Sequence, residues 1–337
     1  MLVIPVFIPH QGCPQSCLFC NQVSISGQRE HLADDVELVE STVRLWLARS
    51  RKQQTQVAFY GGSFTCLSRD RQQSLLDAVQ PFITAGDVQS IRLSTRPDCI
   101  DAAVCEFLKE KQVSTVELGV QSLDDTVLQA SRRGHEAADS LQAAKIIQDA
   151  GMELGIQLMP GLPKETFRSW LATVKEVIRL RPDCVRIYPT LVIDGATLAQ
   201  DYGEGAYIPL SMNQAIVYCC RAKELFDAAG IKVLRMGLQA ADNLEDSLVA
   251  GPYHPAFGEL VTARLWLKRS RKILSASHAD SHTVFTLSDR DVSAFVGRKR
   301  CNIERLETFL QHEARQKTFT FATDRTLARG TLKYAIA

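Results

Sequence analysis

No run in this chain approaches the roughly 18 consecutive apolar residues that a membrane-spanning helix needs, so no membrane partner is expected. The opening residues, Met1-Leu2-Val3-Ile4-Pro5-Val6-Phe7, have neither the basic start nor the small-residue cleavage site of a secretory signal. Cysteine is sparse: 10 in 337 residues is too dilute for the disulfide framework that stabilises small secreted domains. The expected setting is therefore reducing and cytoplasmic. An excess of either charge is missing, with a formal net of +1, yet the balance conceals an asymmetry. From Tyr253 to Ala337 there are 15 Lys plus Arg against 8 Asp plus Glu, a net of +7, which leaves −6 for the first 252 residues. With 45% hydrophobic and 23% charged residues, this is the composition of a globular protein. Its length suits one large domain with a smaller appendix, or two domains.

What cysteine there is gathers near the start. Cys13, Cys17 and Cys20 follow the first apolar run as C-x3-C-x2-C, within His10-Gln11-Gly12-Cys13-Pro14-Gln15-Ser16-Cys17-Leu18-Phe19-Cys20-Asn21. Thiolates are the normal ligands of a [4Fe-4S] cluster and four is the usual count. A set of three with no nearby fourth leaves one iron open to an exogenous molecule. Zinc is the alternative, but a structural zinc site takes four protein ligands, usually as two separated pairs. Here the fourth would be His10, His31 or something distant. Cys66, Cys99, Cys105, Cys184, Cys219, Cys220 and Cys301 lie in apolar surroundings and read mostly as small buried hydrophobes.

Along the chain, short β-rich runs alternate with amphipathic helical stretches. Strands are expected at Val3 to Ile8, Gln56 to Tyr60, Ser90 to Ser94, Ser114 to Leu118, Glu153 to Met159 and Asp183 to Tyr188. Helices are expected at Asp34 to Ser50, Arg69 to Ile83, Asp101 to Lys111, Asp124 to Ser131, Ala137 to Ala150, Lys164 to Leu180 and Asn213 to Ala229. Six βα units in succession demand a parallel sheet, which Lys232 to Met236 would extend. Such a sheet, curled into a full or partial barrel, carries its site at the C-terminal ends of its strands. The residues there are the cysteine loop, Gly61-Gly62-Ser63, Ser94-Thr95-Arg96, Gly119-Val120-Gln121, Gln157 to Pro163 and Tyr188-Pro189-Thr190. Taken singly, Gly61-Gly62 is a tight turn, Arg96 a surface ion pair and Gln121 a cap. Six polar or glycine-rich ends on one rim point to a site.

The cysteine triplet with an aromatic before its last member, followed at the second strand by Gly61-Gly62, resembles the radical S-adenosylmethionine (SAM) superfamily. Within it, Glu117-Leu118-Gly119-Val120-Gln121-Ser122, Arg133-Gly134-His135 and Arg186-Ile187-Tyr188-Pro189-Thr190-Leu191-Val192-Ile193 resemble the radical-SAM core of the Elongator catalytic subunit family, which acts on the wobble uridine of tRNA. The similarity runs from about Val3 to Leu210. Oxygen-independent coproporphyrinogen oxidases share the Gly-Val-Gln motif. The resemblance implies an α/β fold, a partial (β/α)6 TIM-type barrel, with a [4Fe-4S] cluster on Cys13, Cys17 and Cys20 whose fourth iron is chelated by SAM. It further implies that Gly61, Gly62 and Ser63 meet the methionine moiety, that Ser94 stands at another SAM-contacting position, and that Gln121, Arg133 and Gln157 contact ribose and carboxylate. An electron, delivered by a reductant such as flavodoxin or ferredoxin, would cleave the sulfonium to methionine and a 5′-deoxyadenosyl radical.

Ser94 stands where relatives often place a carboxylate and Gln157 where they often have Asp, which puts those two contacts in doubt. The cysteines are closer together than in the Elongator family. No counterpart of that family's acetyltransferase-like domain is expected after Gly237, where no Gly-rich acyl-CoA loop is evident. The expected domains are a core over residues 1–240 and a small basic C-terminal domain over 241–337. The latter holds the basic stretch Arg264 to Lys272 and Val296-Gly297-Arg298-Lys299-Arg300-Cys301-Asn302-Ile303. This last segment, with an apparent strand at Thr318 to Phe321, resembles the GxxG loop of a KH module, which clamps a nucleic-acid backbone; Arg300 replaces the second Gly. A solvated basic surface is the competing reading, and Trp266 is either a base-stacking platform or core. Three functions follow: RNA (tRNA uridine) modification, a small-molecule reaction such as one on a porphyrin precursor, or a non-catalytic cluster-binding adaptor.

Overall fold

The computed structural model describes residues 2–8, 13, 17–21, 35–49, 54–239, 242–312 and 316–337. It divides into two compact units, Met1–Pro255 and Ala256–Ala337. Leu244, in the segment that follows residue 240, is buried with Leu191 and Ile193.

In chain order the first unit's strands are β1 (Leu2–Phe7), β2 (Thr55–Tyr60), β3 (Ser90–Thr95), β4 (Val113–Gln121), β5 (Glu153–Leu158), β6 (Cys184–Ile187), β7 (Val192–Ile193), β8 (Lys232–Met236) and β9 (Leu248–Ala250). Seven of them form one curled sheet in the order β1-β2-β3-β4-β5-β6-β8, all pairs parallel. Strands β7 and β9 pair antiparallel. Parallel neighbours need a crossover, and helices such as Ala102–Glu110, Ala137–Asp149 and Phe167–Leu180 supply it. The helix expected over Arg69 to Ile83 is broken into Arg69–Asp77 and Gln80–Thr84. Pro81 has no N–H to donate to the carbonyl four residues back, and it sits in the first turn of the second piece, where none is needed. Phe167–Leu180 starts at a capping box of Thr166 and Ser169, later than the expected Lys164.

Side chains alternate between the two faces of a strand, and here the faces differ in kind. Val57, Phe59, Ile91, Leu93, Val116, Leu118, Leu154, Ile156, Val185 and Ile187 form an apolar face, all buried. The register sets Arg92 beside Thr115, Ser94 beside Glu117, Glu117 beside Gly155 and Gln157 beside Arg186, so the opposite face is polar. A sheet with one apolar face under helices and one polar face is built to line a site.

The second unit consists of helix Phe257–Ala276, β10 (His282–Leu287), helices Val292–Val296 and Cys301–His312, β11 (Thr318–Thr323) and β12 (Leu332–Ile336). Its sheet order is β11-β10-β12, with β10 parallel to β11 and antiparallel to β12. Trp266 is 2% exposed in a core with Phe285, Phe295 and Leu306, its ring edge-on to Phe295 at 6.0 Å. It is therefore core, and the base-stacking alternative falls away.

Candidate functional site

At the end of β2 the chain turns at Gly61, whose φ of +97° is open to glycine and strained for other residues. Gly62 follows with no such backbone requirement. Ser63 is buried, and its Oγ accepts the Arg96 N–H at 3.1 Å and lies 3.0 Å from Thr95 Oγ1. Thr65 Oγ1 reaches the same threonine at 2.6 Å. The β2 and β3 ends are thus fastened together through hydroxyls. The turns Phe64–Cys66 and Pro97–Cys99 then bring Cys66 and Cys99 to a Cα separation of 5.4 Å, joined as a disulfide. This corrects the reading of those two as isolated buried hydrophobes; Cys105, Cys184, Cys219 and Cys220 are buried as expected. The pairing was invisible in sequence because it depends on β2 and β3 being neighbours.

Ser94 and Gln157 meet across β4, Gln157 Nε2 standing 3.5 Å from Ser94 Oγ. Gln121 closes β4 in the left-handed region at φ +66°, a conformation costing a non-glycine residue about 1–2 kcal/mol. It is not a helix cap: Asp124 caps the next helix, accepting from the Thr126 and Val127 N–H groups. Its Oε1 is buried without a partner among the described residues. Arg96 is not a surface pair either. At 4% exposure it pairs with Asp98 at 2.8 Å and donates from Nη2 to the Arg133 carbonyl at 2.7 Å.

Arg133 joins these pieces to the cysteine loop. Its Nη1 donates to Cys17 Sγ at 3.1 Å and Nη2 to the Gly119 carbonyl, while Nε is buried and, among the described residues, unpartnered. A Cβ on Gly119 would stand 3.1 Å from Gln121 Nε2 and 3.5 Å from Arg133 Nη2, so the two side chains share one wall. The Cys17 turn is docked by Leu18, which donates to the Ser131 carbonyl at 3.2 Å and accepts from the Leu198 N–H at 2.8 Å. Cys17 is buried, Cys13 and Cys20 are half-buried, and the Cys20 N–H donates to the Cys17 carbonyl at 3.1 Å. Among the described residues no three His, Cys, Asp or Glu side chains are gathered as a ready metal site; His10 and His31 lie outside the described residues.

Sequence reasoning gave no role to five side chains. His135 is 6% exposed, with both ring nitrogens unpartnered among the described residues. Burial first, then Arg133 and Arg96, push it down to about 4, so it is neutral and costs stability as pH falls from 6.5 through 4. Glu165 closes the β5 loop: its Oε2 accepts the Gly161 N–H at 2.6 Å and its Oε1 is buried and unpartnered. Burial pushes it from 4.5 up to about 8. An acid with a raised folded pKa holds its proton more tightly when folded, so stability falls as pH rises from about 4.5 to about 8. Glu165→Gln is expected to remove that loss, narrowing the difference in melting temperature between about pH 5 and about pH 8. An unchanged pH dependence would show that the carboxyl ionises freely.

The other three are the charges of the polar sheet face. Glu117, 1% exposed, accepts from Arg92 Nη1 at 2.6 Å and Arg186 Nε at 2.7 Å. Arg186 Nη2 also donates to Tyr60 Oη at 2.9 Å, and Arg92 Nε to Gln56 Oε1 at 2.9 Å. The available signal was charge within strands otherwise apolar. The unpartnered Gln121 Oε1, Arg133 Nε and His135 nitrogens, beside a cysteine-bearing loop, fit a polar ligand seated at the strand ends and held next to a thiolate-bound metal group.

The chain is 32% identical over 173 residues to a tRNA uridine(34) acetyltransferase of Methanocaldococcus infernus, covering 50% of this chain and 32% of that one. The match thus spans about a third of that relative's length. Among solved structures, archaeal Elp3 of Methanocaldococcus infernus aligns with a TM-score of 0.63 at 22% identity, covering 80% of this chain and 63% of that one. The Escherichia coli coproporphyrinogen III oxidase HemN aligns with a TM-score of 0.51 at 19% identity, over 68% and 52%. The radical SAM C-terminal domain model matches residues 182–267. The radical SAM superfamily model matches residues 7–177, half of the chain, and the chain belongs to that superfamily.

Proposed function

We propose that this chain is an enzyme that holds a [4Fe-4S] cluster through Cys13, Cys17 and Cys20, binds SAM along the strand ends and acts on RNA, with tRNA uridine as the substrate class. Family membership implies the cluster and SAM; the residue roles rest on position and chemistry. The observation that carries the reading is Arg133, buried, with one guanidinium nitrogen on Cys17 Sγ, another on the β4 end and a third left for a ligand. When bound, the two cofactors supply a one-electron cleavage of the SAM sulfonium, giving methionine and a hydrogen-abstracting 5′-deoxyadenosyl radical.

The rest is the work of the protein. Arg133 is placed to grip a carboxylate or ribose, and Gln121 offers its amide oxygen beside it. The Gly61-Gly62 turn lets a ligand approach backbone N–H and C=O groups. Ser94 and Gln157, being polar but uncharged, offer hydrogen bonds without a carboxylate. A reductant such as flavodoxin or ferredoxin supplies the electron. Similarity to a tRNA uridine(34) acetyltransferase supports RNA as substrate.

Anaerobic incubation with SAM and dithionite, with and without bulk tRNA, followed by mass spectrometry, is expected to yield 5′-deoxyadenosine and an altered uridine. Cleavage without nucleoside change would favour the small-molecule reading, and no cleavage the adaptor. Arg133→Ala should keep the cluster absorption yet weaken SAM binding about 10- to 150-fold, the equivalent of one charge-assisted bond. Calorimetry showing unchanged SAM affinity would remove Arg133 from the site.

A further inference from the structure

We propose that the second unit clamps the sugar-phosphate backbone of single-stranded RNA, with the 297–300 loop as the phosphate-contacting element; as a statement about substrate, this rests on the RNA reading of the strand-end site. In this unit β10 and β11 are adjacent and parallel, from His282 beside Thr318 to Leu287 beside Thr323. The crossover between them is split into two helices, Val292–Val296 and Cys301–His312. The split is built into the backbone: Gly297, Lys299 and Arg300 have φ of +75°, +49° and +63°, so no continuous helix can pass. At Gly297 a Cβ would also lie 2.9 Å from Asn302 Cγ and Cys301 Sγ. Asn302, 2% exposed, anchors the loop from behind, its Nδ2 donating to the carbonyls of Ala263, Ala294 and Phe295 at 2.9, 3.2 and 3.1 Å.

A loop held this way presents Arg298, Lys299 and Arg300 consecutively to solvent. Of the acids just before it, Asp289 faces Arg325 at 3.8 Å and Asp291 faces Arg329 at 3.6 Å; Glu304, one turn on, is the nearest acid after it in sequence. The unit carries a net +7, so its charge complements a polyanion. Two strands joined by two helices around a Gly-led basic loop is the arrangement with which a KH module clamps four nucleotides of backbone. The one departure, Arg300 at the second glycine position, is answered by the structure: Arg300 adopts the positive φ that a glycine there would take, and adds a cation. The helix Phe257–Ala276 contributes less than its charge suggests, since Arg269 donates to the Gly330 carbonyl at 3.1 Å and Arg271 lies over the Phe309 ring.

The test uses the full chain and a fluorescein-labelled oligouridylate, with anisotropy followed across KCl concentrations. Log affinity should fall with log salt by about 0.7 per phosphate contacted. Replacing Arg298, Lys299 and Arg300 together by Ser should flatten the slope by about two units. Arg300→Gly, which keeps the loop conformation, should flatten it by about 0.7. Melting temperature and substrate-free SAM cleavage should stay as in the parent protein. An unchanged slope in the triple variant, no binding at low salt, or equal affinity for duplex DNA would overturn the proposal. If the triple variant modified tRNA with the parent kcat/KM, the clamp would fail and the RNA reading stand. If the loop bound oligouridylate but no nucleoside changed in bulk tRNA, the clamp would stand and the RNA-substrate reading fail.

Discussion

Anaerobically reconstituted Cys13→Ala, Cys17→Ala and Cys20→Ala proteins are each expected to lose the oxygen-sensitive iron-sulfur absorption and all 5′-deoxyadenosine formation, while Cys219→Ala keeps both. A cluster already one thiolate short of the usual four has no ligand to spare, and a second loss leaves two irons open. The effect should therefore exceed the roughly 10- to 100-fold loss of metal affinity that changes beyond the direct ligands cause. Cys219 is a suitable control, since it is fully buried in the helix Met212–Ala228 and remote in sequence from the strand-end loops. Iron content and absorption after strictly anaerobic purification decide the matter. Stoichiometric zinc with no iron would sink the cluster and leave the zinc alternative.

Glu117→Ala is expected to be the most destabilising single substitution in the polar face of the sheet. Two guanidinium groups, Arg92 and Arg186, converge on this one carboxylate, and its removal leaves both facing a sheet interior without a counter-ion. Breaking a buried pair from one side costs about 3–5 kcal/mol, which in a unit of this size lowers the melting temperature by roughly 6–20 °C. The same truncation in the exposed Lys145–Asp149 pair, 74% and 62% accessible, should change stability by no more than about 0.5 kcal/mol. Burial and Glu117 push the Tyr60 phenol upward, so it stays protonated and can also donate. Thermal unfolding of the three proteins side by side checks the comparison; equal shifts for Glu117→Ala and Asp149→Ala would mean that water reaches the network and screens it.

Several elements were legible because their causes are local. The alternation of β-rich and amphipathic runs specified a parallel sheet, and six of its seven strands were anticipated within a few residues, with Lys232–Met236 as the extension. Family motifs such as Gly119-Val120-Gln121 and Arg186 to Ile193 also survive in linear form, since each lies on one strand and its loop.

By itself, then, the sequence determined which residues lie at strand ends, because side-chain alternation and βα order follow from the chain's own periodicity. Only the tertiary structure decided which of those ends touch. That Arg133 reaches Cys17 across 116 positions of sequence, that Cys66 meets Cys99 and that Arg92 and Arg186 share the Glu117 carboxylate all depend on strand order and register. These fix which side chains share a low-dielectric face, and there an unpaired charge is too costly to remain alone. Arg96 and Gln121 show the same division: each was visible as a polar strand-end residue, but burial, which no local pattern encodes, turned the one into an anchor for Arg133 and left the other's amide oxygen without a partner among the described residues.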